Sequence, residues 1–300
     1  KKLRKKIRFK GMIKKGIILA GGAGTRMSPL TKAVNKQLLP LYDKPLIFYP
    51  LSILMLAGIR NILIIVNKGQ LGQFKKILPE NNNLGLKIQY KEQLRPGGLP
   101  QAFIIGEKFI GKDNIALILG DNFFYGQSLT RNLKKSMNFK KGAKVFLHAV
   151  KNPHLYGVAS LNKKNKVTKL IEKPKKTNSN LAVTGFYIFD NKVIEFSKKL
   201  RPSRRGELEI IDLLNNYKRK NNLSAEFIGR GASWLDTGNI RDFYDASNYI
   251  STIENRQGLK IACIEEIAFN NGWIKKIDIE KSILFYGNCE YSKYLKTLIN

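Results

Sequence analysis

Residues 15–40, KGIILAGGAGTRMSPLTKAVNKQLLP, carry groups that suit a polyphosphate. Gly21, Gly22 and Gly24 follow a short apolar run at 16–20. A loop with almost no side chains can bend through positive φ and lay backbone N–H groups against phosphate oxygens, because no Cβ holds the ligand away. Arg26 follows at once, and Lys36 stands further along the same stretch. Arg grips oxygens with a planar fork, whereas Lys follows shifting charge as a compact cation. Thr25-Arg26 stands where a P-loop needs Gly-Lys-Ser/Thr, and Met27 stands where the dinucleotide fingerprint wants its third glycine, so neither motif applies. The glycines alone would read as a tight turn. With Arg26, Lys36-Gln37 and Leu38-Leu39-Pro40 in order, they read as a phosphate site.

The elements that must position these residues read as alternating strands and helices. Buried-strand runs are expected at 16–20, 61–66, 86–91 and 115–119, with helices at 45–57 (stopped by Gly58), 70–78 and 100–109 (Pro100 in its first position). Such alternation predicts an α/β fold with a mostly parallel central sheet and helices on both faces. Ligands then sit beyond the carboxyl ends of the strands, where Gly21 and Asp121 both fall. After Gly142 the pattern changes to closely spaced strands at 143–150, 156–161, 166–171 and 181–189, a sheet-rich lobe. Helices follow at 207–220 and 239–254 with a strand at 223–228 between them, and the segment 241–300 reads as a C-terminal helical appendage.

Composition narrows the function classes. With 43% hydrophobic residues in 300, a full core can be buried. The longest apolar stretch, 45–59, contains Tyr49, Ser52 and two prolines and falls short of a membrane span. Residues 1–15 superficially mimic a signal peptide, but an apolar run of 16–20 is too short for export; 1–11 reads as a basic extension, and a cytoplasmic protein is expected. Cys263 and Cys289 have no C-x-x-C spacing and His148 and His154 are isolated, so zinc is not expected and both thiols are expected reduced. A net charge of +32 is what a nucleic-acid binder would show, yet the basic residues are spread along the chain with no RNP-like or zinc-finger pattern. Solvated basic faces are the expectation, with no specific nucleic-acid partner.

The glycine stretch with its Lys-Gln-Leu-Leu-Pro tail resembles the signature of the sugar-1-phosphate nucleotidyltransferases, also called nucleotide-sugar pyrophosphorylases. Tyr42-Asp43-Lys44-Pro45, Leu119-Gly120-Asp121-Asn122, Glu172-Lys173-Pro174, Arg205-Gly206-Glu207-Leu208-Glu209 and Trp234-Leu235-Asp236-Thr237-Gly238 make the chain similar to the thymidylyltransferase branch of that family. The resemblance runs from about Met12 to the region of Ile274. It implies a Rossmann-like nucleotidyltransferase domain over 12–240, with a nucleotide half at 12–142 and a sugar-binding half at 143–240. The implied reaction is Mg²⁺-dependent transfer of thymidylyl from dTTP to glucose 1-phosphate, a first step towards dTDP-rhamnose and related deoxysugars. A homotetramer is implied as well.

Joining two anions requires that their repulsion be neutralised, and a hard divalent cation held by a few carboxylates does this. Asp121, after a strand, and Asp236, between a strand and a helix, are the candidates, and the resemblance implies that they hold Mg²⁺. It further implies that Gly21, Gly22, Gly24, Thr25 and Arg26 hold the triphosphate, that Lys36 stabilises the departing pyrophosphate, and that Gln93 and Gly98 meet the base with Asp121 close to the nucleotide. Tyr156, Gly157, Glu172, Lys173, Val183 and Arg205 match positions lining the sugar-phosphate pocket, with Arg26, Lys36 and Lys173 the catalytic cations. The base loop departs from the family pattern. Relatives read Ser-Pro-Asp-Gly-Leu-Ala-Gln-Ala where this chain has Arg95-Pro96-Gly97-Gly98-Leu99-Pro100-Gln101-Ala102. Ile171 likewise stands where relatives often carry Glu. Two other readings are open: the same chemistry with UTP or another hexose phosphate, and a non-catalytic polyanion-binding protein motivated by the charge.

Overall fold

Alternation along the strands decides the two faces of the central sheet. Ile18, Ile62, Ile64 and Val66 are buried on one face, and Ile17, Leu63 and Ile65 on the other. Strands covered on both sides must be apolar nearly throughout, as these are. The computed structural model of the protein describes residues 12–22 and 24–300. The basic extension expected at 1–11 lies outside the described residues.

Lys15–Ala20 lies between Ile115–Leu119 and Asn61–Asn67, and Lys87–Gln93 extends the run, all parallel. Leu181–Phe189 joins antiparallel to Ile115–Leu119 and carries Gly157–Leu161 and Val167–Glu172 on one side. On its other side it carries Ala143–Ala149, to which Leu223–Phe227 is parallel. The strands after Gly142 therefore belong to the same nine-stranded sheet as the glycine loop. Helix Phe48–Leu56 covers one face and is itself covered by Ile264–Asn270, which explains why it is apolar all round. Gln101–Ile105, Val193–Lys198 and Ile210–Arg219 cover the other face.

Several boundaries differ from the expectation for tertiary reasons. The helix expected at 45–57 begins at Phe48, because Lys44–Pro45 pairs with Pro40–Leu41 across the Tyr42-Asp43 turn. The helix expected at 100–109 is broken into Gln101–Ile105 and Glu107–Ile110 at Gly106, where a Cβ would meet Ile17 and Leu63 of the sheet at 3.1 and 3.2 Å. The helix expected at 207–220 begins at Ile210, since Leu208 N–H is engaged by Gly97 O at 2.9 Å. A separate two-stranded sheet, Asn122–Gly126 against Ala232–Asp236, was not signalled by periodicity, nor was helix Leu129–Ser136. Beyond Ile240–Gln257 the chain forms helices Ile264–Asn270, Lys276–Tyr286 and Glu290–Thr297.

Candidate active site

The glycine loop leaves the carboxyl end of Lys15–Ala20 and is pinned from the neighbouring strand end. Gly22 N–H donates to Asn67 Oδ1 and Asn67 Nδ2 donates back to Gly22 O, each at 2.8 Å. Gly22 and Gly24 have φ of +113° and +59°, the left-handed region that glycine adopts without strain. Thr31 Oγ1 donates to Gly24 O at 2.8 Å, and Asn35 Nδ2 donates to Ala20 O at 3.2 Å. Thr25 and Arg26, on the next turn, are exposed. The loop is thus fixed by side chains from outside it while its cation faces solvent.

Four charged groups converge beside this loop. Asp121 follows Ile115–Leu119, and Asp236 ends the Ala232–Asp236 strand, opposite Asn122 in the register. Thr237 fastens the two segments, its N–H and Oγ1 both donating to Asp121 O at 3.1 and 2.8 Å. Lys36, brought in by the turn Lys36–Leu38, forms an ion pair with Asp121 in which the Lys is only 9% exposed. Burial works to raise the Asp121 carboxyl, but the Lys36 charge and hydrogen bond, with a further bond from Asn122, hold it below the usual range. Asp236 goes the other way. Burial first, then the Asp121 charge, push it up to about 7 against the pull of Lys36 and Arg26. Arg26 and Asp236 flank Gly238, where a Cβ would lie 3.1 Å from both Arg26 Nη2 and Asp236 Oδ1.

Among the described residues, no group of three or more His, Cys, Asp and Glu side chains is arranged to hold a metal ion. Asp121 and Asp236 form a pair instead. Two carboxylates that raise each other's cost of ionisation, with no third protein ligand, fit Mg²⁺, which keeps several waters and takes phosphate oxygens. The chemistry of the donor set is therefore compatible with that cation.

Gln93 ends the Lys87–Gln93 strand, next to the glycine loop, and is 4% exposed. A Cβ at Gly21 would lie 2.5 Å from Gln93 Oε1, so the absence of a side chain at Gly21 is what admits this amide. Gly98, with φ +89°, forms an isolated bridge with Leu208, and a Cβ there would sit 2.1 Å from Leu208 O. The loop at 95–98 is thereby joined to the segment at 205–209.

In the part of the sheet built after Gly142, Glu172 ends the Val167–Glu172 strand, and Lys173 turns away with φ +41°, held by its N–H to Tyr156 O at 3.0 Å. A positive φ at a non-glycine residue costs of order 1–3 kcal/mol and is common where function fixes a side chain. Burial pushes Glu172 upward, against the lowering pull of Lys173. A Cβ on Gly157 would come within 3.3 Å of Glu172 Oε2, and Tyr156 packs edge-on to Trp234 with ring centres 5.0 Å apart. Val183 is buried in the core between sheet and helices and pairs with Leu147, so its side chain does not line an open pocket. Arg205 is occupied by Glu209, both carboxylate oxygens lying 2.9 Å from Nη2.

Three side chains that the sequence motifs did not single out organise the site. Asn67 pins the glycine loop, Gln101 bonds to Gln93, and Asn122 links three segments. Asn122 Oδ1 accepts from Trp234 Nε1 at 2.6 Å and from Gly185 N–H at 3.0 Å, while its Nδ2 donates to Asp121 Oδ1 at 3.1 Å. Leu119-Gly120-Asp121-Asn122 contained this residue, but nothing in its spacing marked the partners.

The profile of the nucleotidyl transferase family matches residues 15–253. A glucose-1-phosphate thymidylyltransferase of Neisseria meningitidis is 49% identical over 285 residues, 95% of this chain and 99% of the relative. One of Mycolicibacterium smegmatis is 45% identical over 289 residues, again 95% of this chain and 99% of the relative. Among solved structures, a candidate glucose-1-phosphate thymidylyltransferase from Bacillus anthracis in complex with sucrose superposes with a TM-score of 0.73 at 38% identity, covering 78% of this chain and 94% of that one. UDP-glucose pyrophosphorylase complexed with UDP-glucose superposes with a TM-score of 0.71 at 27% identity, covering 81% and 100%.

Proposed function

Since the chain belongs to the nucleotidyl transferase family, we propose that it transfers thymidylyl from dTTP to glucose 1-phosphate, giving dTDP-glucose and pyrophosphate. The observation that carries this is the Lys36–Asp121 ion pair with Asp236 and Arg26 close enough to act on one another, at the carboxyl end of the sheet beside the glycine loop. The relatives at 45–49% identity carry the thymidylyltransferase name.

In this reading the backbone of Gly21, Gly22 and Gly24, with Thr25 and Arg26, receives the triphosphate. Gln93 and Gly98 meet the base. Tyr156, Gly157 and the backbone at Val183 border the hexose, Glu172 accepts from its hydroxyls, and Lys173 takes the 1-phosphate, with Arg205 adding charge at the rim. The sugar phosphate oxygen attacks the α-phosphorus in line, and pyrophosphate leaves on the far side with Lys36 balancing its charge. No side-chain nucleophile is needed, because alignment and preorganised charge supply the rate. Asp121 and Asp236 would hold Mg²⁺, which supplies charge neutralisation between the two phosphates and a template for their oxygens. The catalytic unit is assigned to 12–240, with the nucleotide half at 12–142, the sugar half at 143–240, and 241–300 as an appendage. Cytoplasmic location and a homotetramer belong to the same reading; among the described residues no helix is long and apolar enough to cross a membrane.

UTP as donor is the second reading, favoured by the fold shared with UDP-glucose pyrophosphorylase. Pyrophosphate release with Mg²⁺, glucose 1-phosphate and each nucleoside triphosphate in turn tests both. Release strongest with dTTP is expected. Release led by UTP would move the base assignment, and no release with any sugar phosphate would leave a polyanion-binding protein.

A further inference from the structure

We infer that Gln101 is a positioning residue that fixes which way round the Gln93 amide faces, and so sets the class of pyrimidine the site accepts. This rests on the reading of Gln93 as the residue that meets the base. Gln101 opens the Gln101–Ile105 helix, and its Oε1 accepts two hydrogen bonds at once: from Gln93 Nε2 at 2.5 Å and from Gly97 N–H at 3.0 Å. An amide oxygen bound by a backbone N–H cannot exchange places with its own NH₂ without putting a donor against a donor. Gln101 is therefore locked by Gly97, and Gln93 is locked in turn by Gln101.

The consequence for Gln93 is a fixed order of groups. One Nε2 hydrogen is committed to Gln101, while Oε1 and the second Nε2 hydrogen have no side-chain hydrogen bond among the described residues and face a ligand in this reading. Oε1 lies over Gly21, at the root of the glycine loop. Thymine and uracil present a donor at N3 beside the O4 acceptor, which pairs with an oxygen flanked by an N–H. Cytosine presents the reverse order, an acceptor at N3 beside the N4 donor, and would need the Gln93 amide turned over. Turning it over would bring Gln93 Oε1 against Gln101 Oε1. The lock therefore rejects cytosine while leaving thymine and uracil alike.

Gly97 completes the device. A Cβ at Gly97 would stand 2.6 Å from Gln101 Oε1 and 2.8 Å from Gln101 Nε2, so the Gln101 amide occupies the space a side chain would take.

The test is kcat/KM for dTTP, UTP and dCTP, with glucose 1-phosphate and Mg²⁺, in the wild-type protein and in Gln101→Ala, Gln101→Glu and Gly97→Ala. Wild type is expected to disfavour dCTP strongly. Gln101→Ala should lower the dTTP-to-dCTP ratio about tenfold or more, chiefly through KM, because a site built on hydrogen bonds loses its discrimination with them. The dTTP-to-UTP ratio should stay within about twofold, since both bases show Gln93 the same edge. Gln101→Glu keeps an acceptor and should restore the ratio; Gly97→Ala, which displaces the amide without removing it, should lower it as Gln101→Ala does. A uniform fall in kcat for all three nucleotides with unchanged ratios would overturn the inference and leave Gln101 a structural residue. Equal use of dTTP and dCTP by the wild-type protein would instead overturn the reading of Gln93 itself.

Discussion

Asn122 donates to the carboxylate of Asp121 at 3.1 Å while its carbonyl accepts the indole N–H of Trp234 at 2.6 Å. One buried amide thus holds the nucleotide side of the site to the strand that carries Asp236. Asn122→Ala would leave the Trp234 indole and Gly185 N–H without this partner, at about 1–3 kcal/mol for each buried group. Thermal unfolding should report a lower midpoint, and kcat should fall with it because Asp121 loses a fixed neighbour. A variant as stable and as active as wild type would show that the hub is dispensable.

Asp121→Asn keeps the shape of the side chain and removes its charge. Lys36 is then left buried without its anion, and the proposed cation site loses a donor. Turnover is expected to fall about 10²-fold or more, as for groups that act mainly in the transition state. Pyrophosphate release at saturating substrates checks this, and near-normal release would remove the carboxylate from the mechanism.

Asp236 should make cation binding depend on pH near neutrality. Its carboxyl is raised to about 7, so below that value a proton occupies the group proposed to hold the cation. Calorimetric titration with Mn²⁺ should therefore show weaker binding at pH 6 than at pH 8, by up to about tenfold per unit once the group is protonated. The folded state of the cation-free protein holds this proton more tightly than the unfolded chain does, so the Asp236 contribution to stability is present at low pH and lost as pH rises through 7. Asp236→Asn should remove that part of the slope in thermal denaturation, and an unchanged slope would place the titration elsewhere.

The Tyr42-Asp43-Lys44-Pro45 turn is tied to the end of Ile240–Gln257 by a network of charges. Lys44, 2% exposed, and Lys260 each bond to Glu254 at 3.1 Å, and both also pair with Asp43. Glu254 additionally accepts from Ile261 N–H at 2.7 Å. Removing one partner from a buried pair typically costs about 3–5 kcal/mol, because the other charge is left unpaired. Glu254→Ala should show a loss of that order in urea denaturation. A loss within about 0.5 kcal/mol, as at an ordinary surface position, would mean that water reaches Lys44.

Motifs made the charged groups legible, because Arg26, Lys36, Asp121 and Asp236 sit at fixed places relative to strand ends that apolar runs mark clearly. The amides that organise them were not. Asn67 reaches Gly22 across 45 residues, and Asn122 reaches Gly185 and Trp234 across 63 and 112. A lone Asn or Gln has no periodicity and its partner is often backbone, which carries no residue-type signal at all. The same holds for Asn122–Gly126 and Ala232–Asp236, whose pairing brings distant segments into register. The helix expected from residue 207 failed for a related reason: Leu208 N–H is engaged by Gly97 O at 2.9 Å, beside the bridge to Gly98.

In the proposed reading, that bridge between Gly98 and Leu208 ties the part of the chain that meets the base to the part that borders the sugar phosphate. Two segments whose backbones are paired in this way cannot shift independently. Whatever factor nucleotide occupancy applies to the affinity for the sugar phosphate, the sugar phosphate must apply equally to the affinity for the nucleotide. Any coupling between the two sites that runs through this crossing is set at a residue that has no side chain.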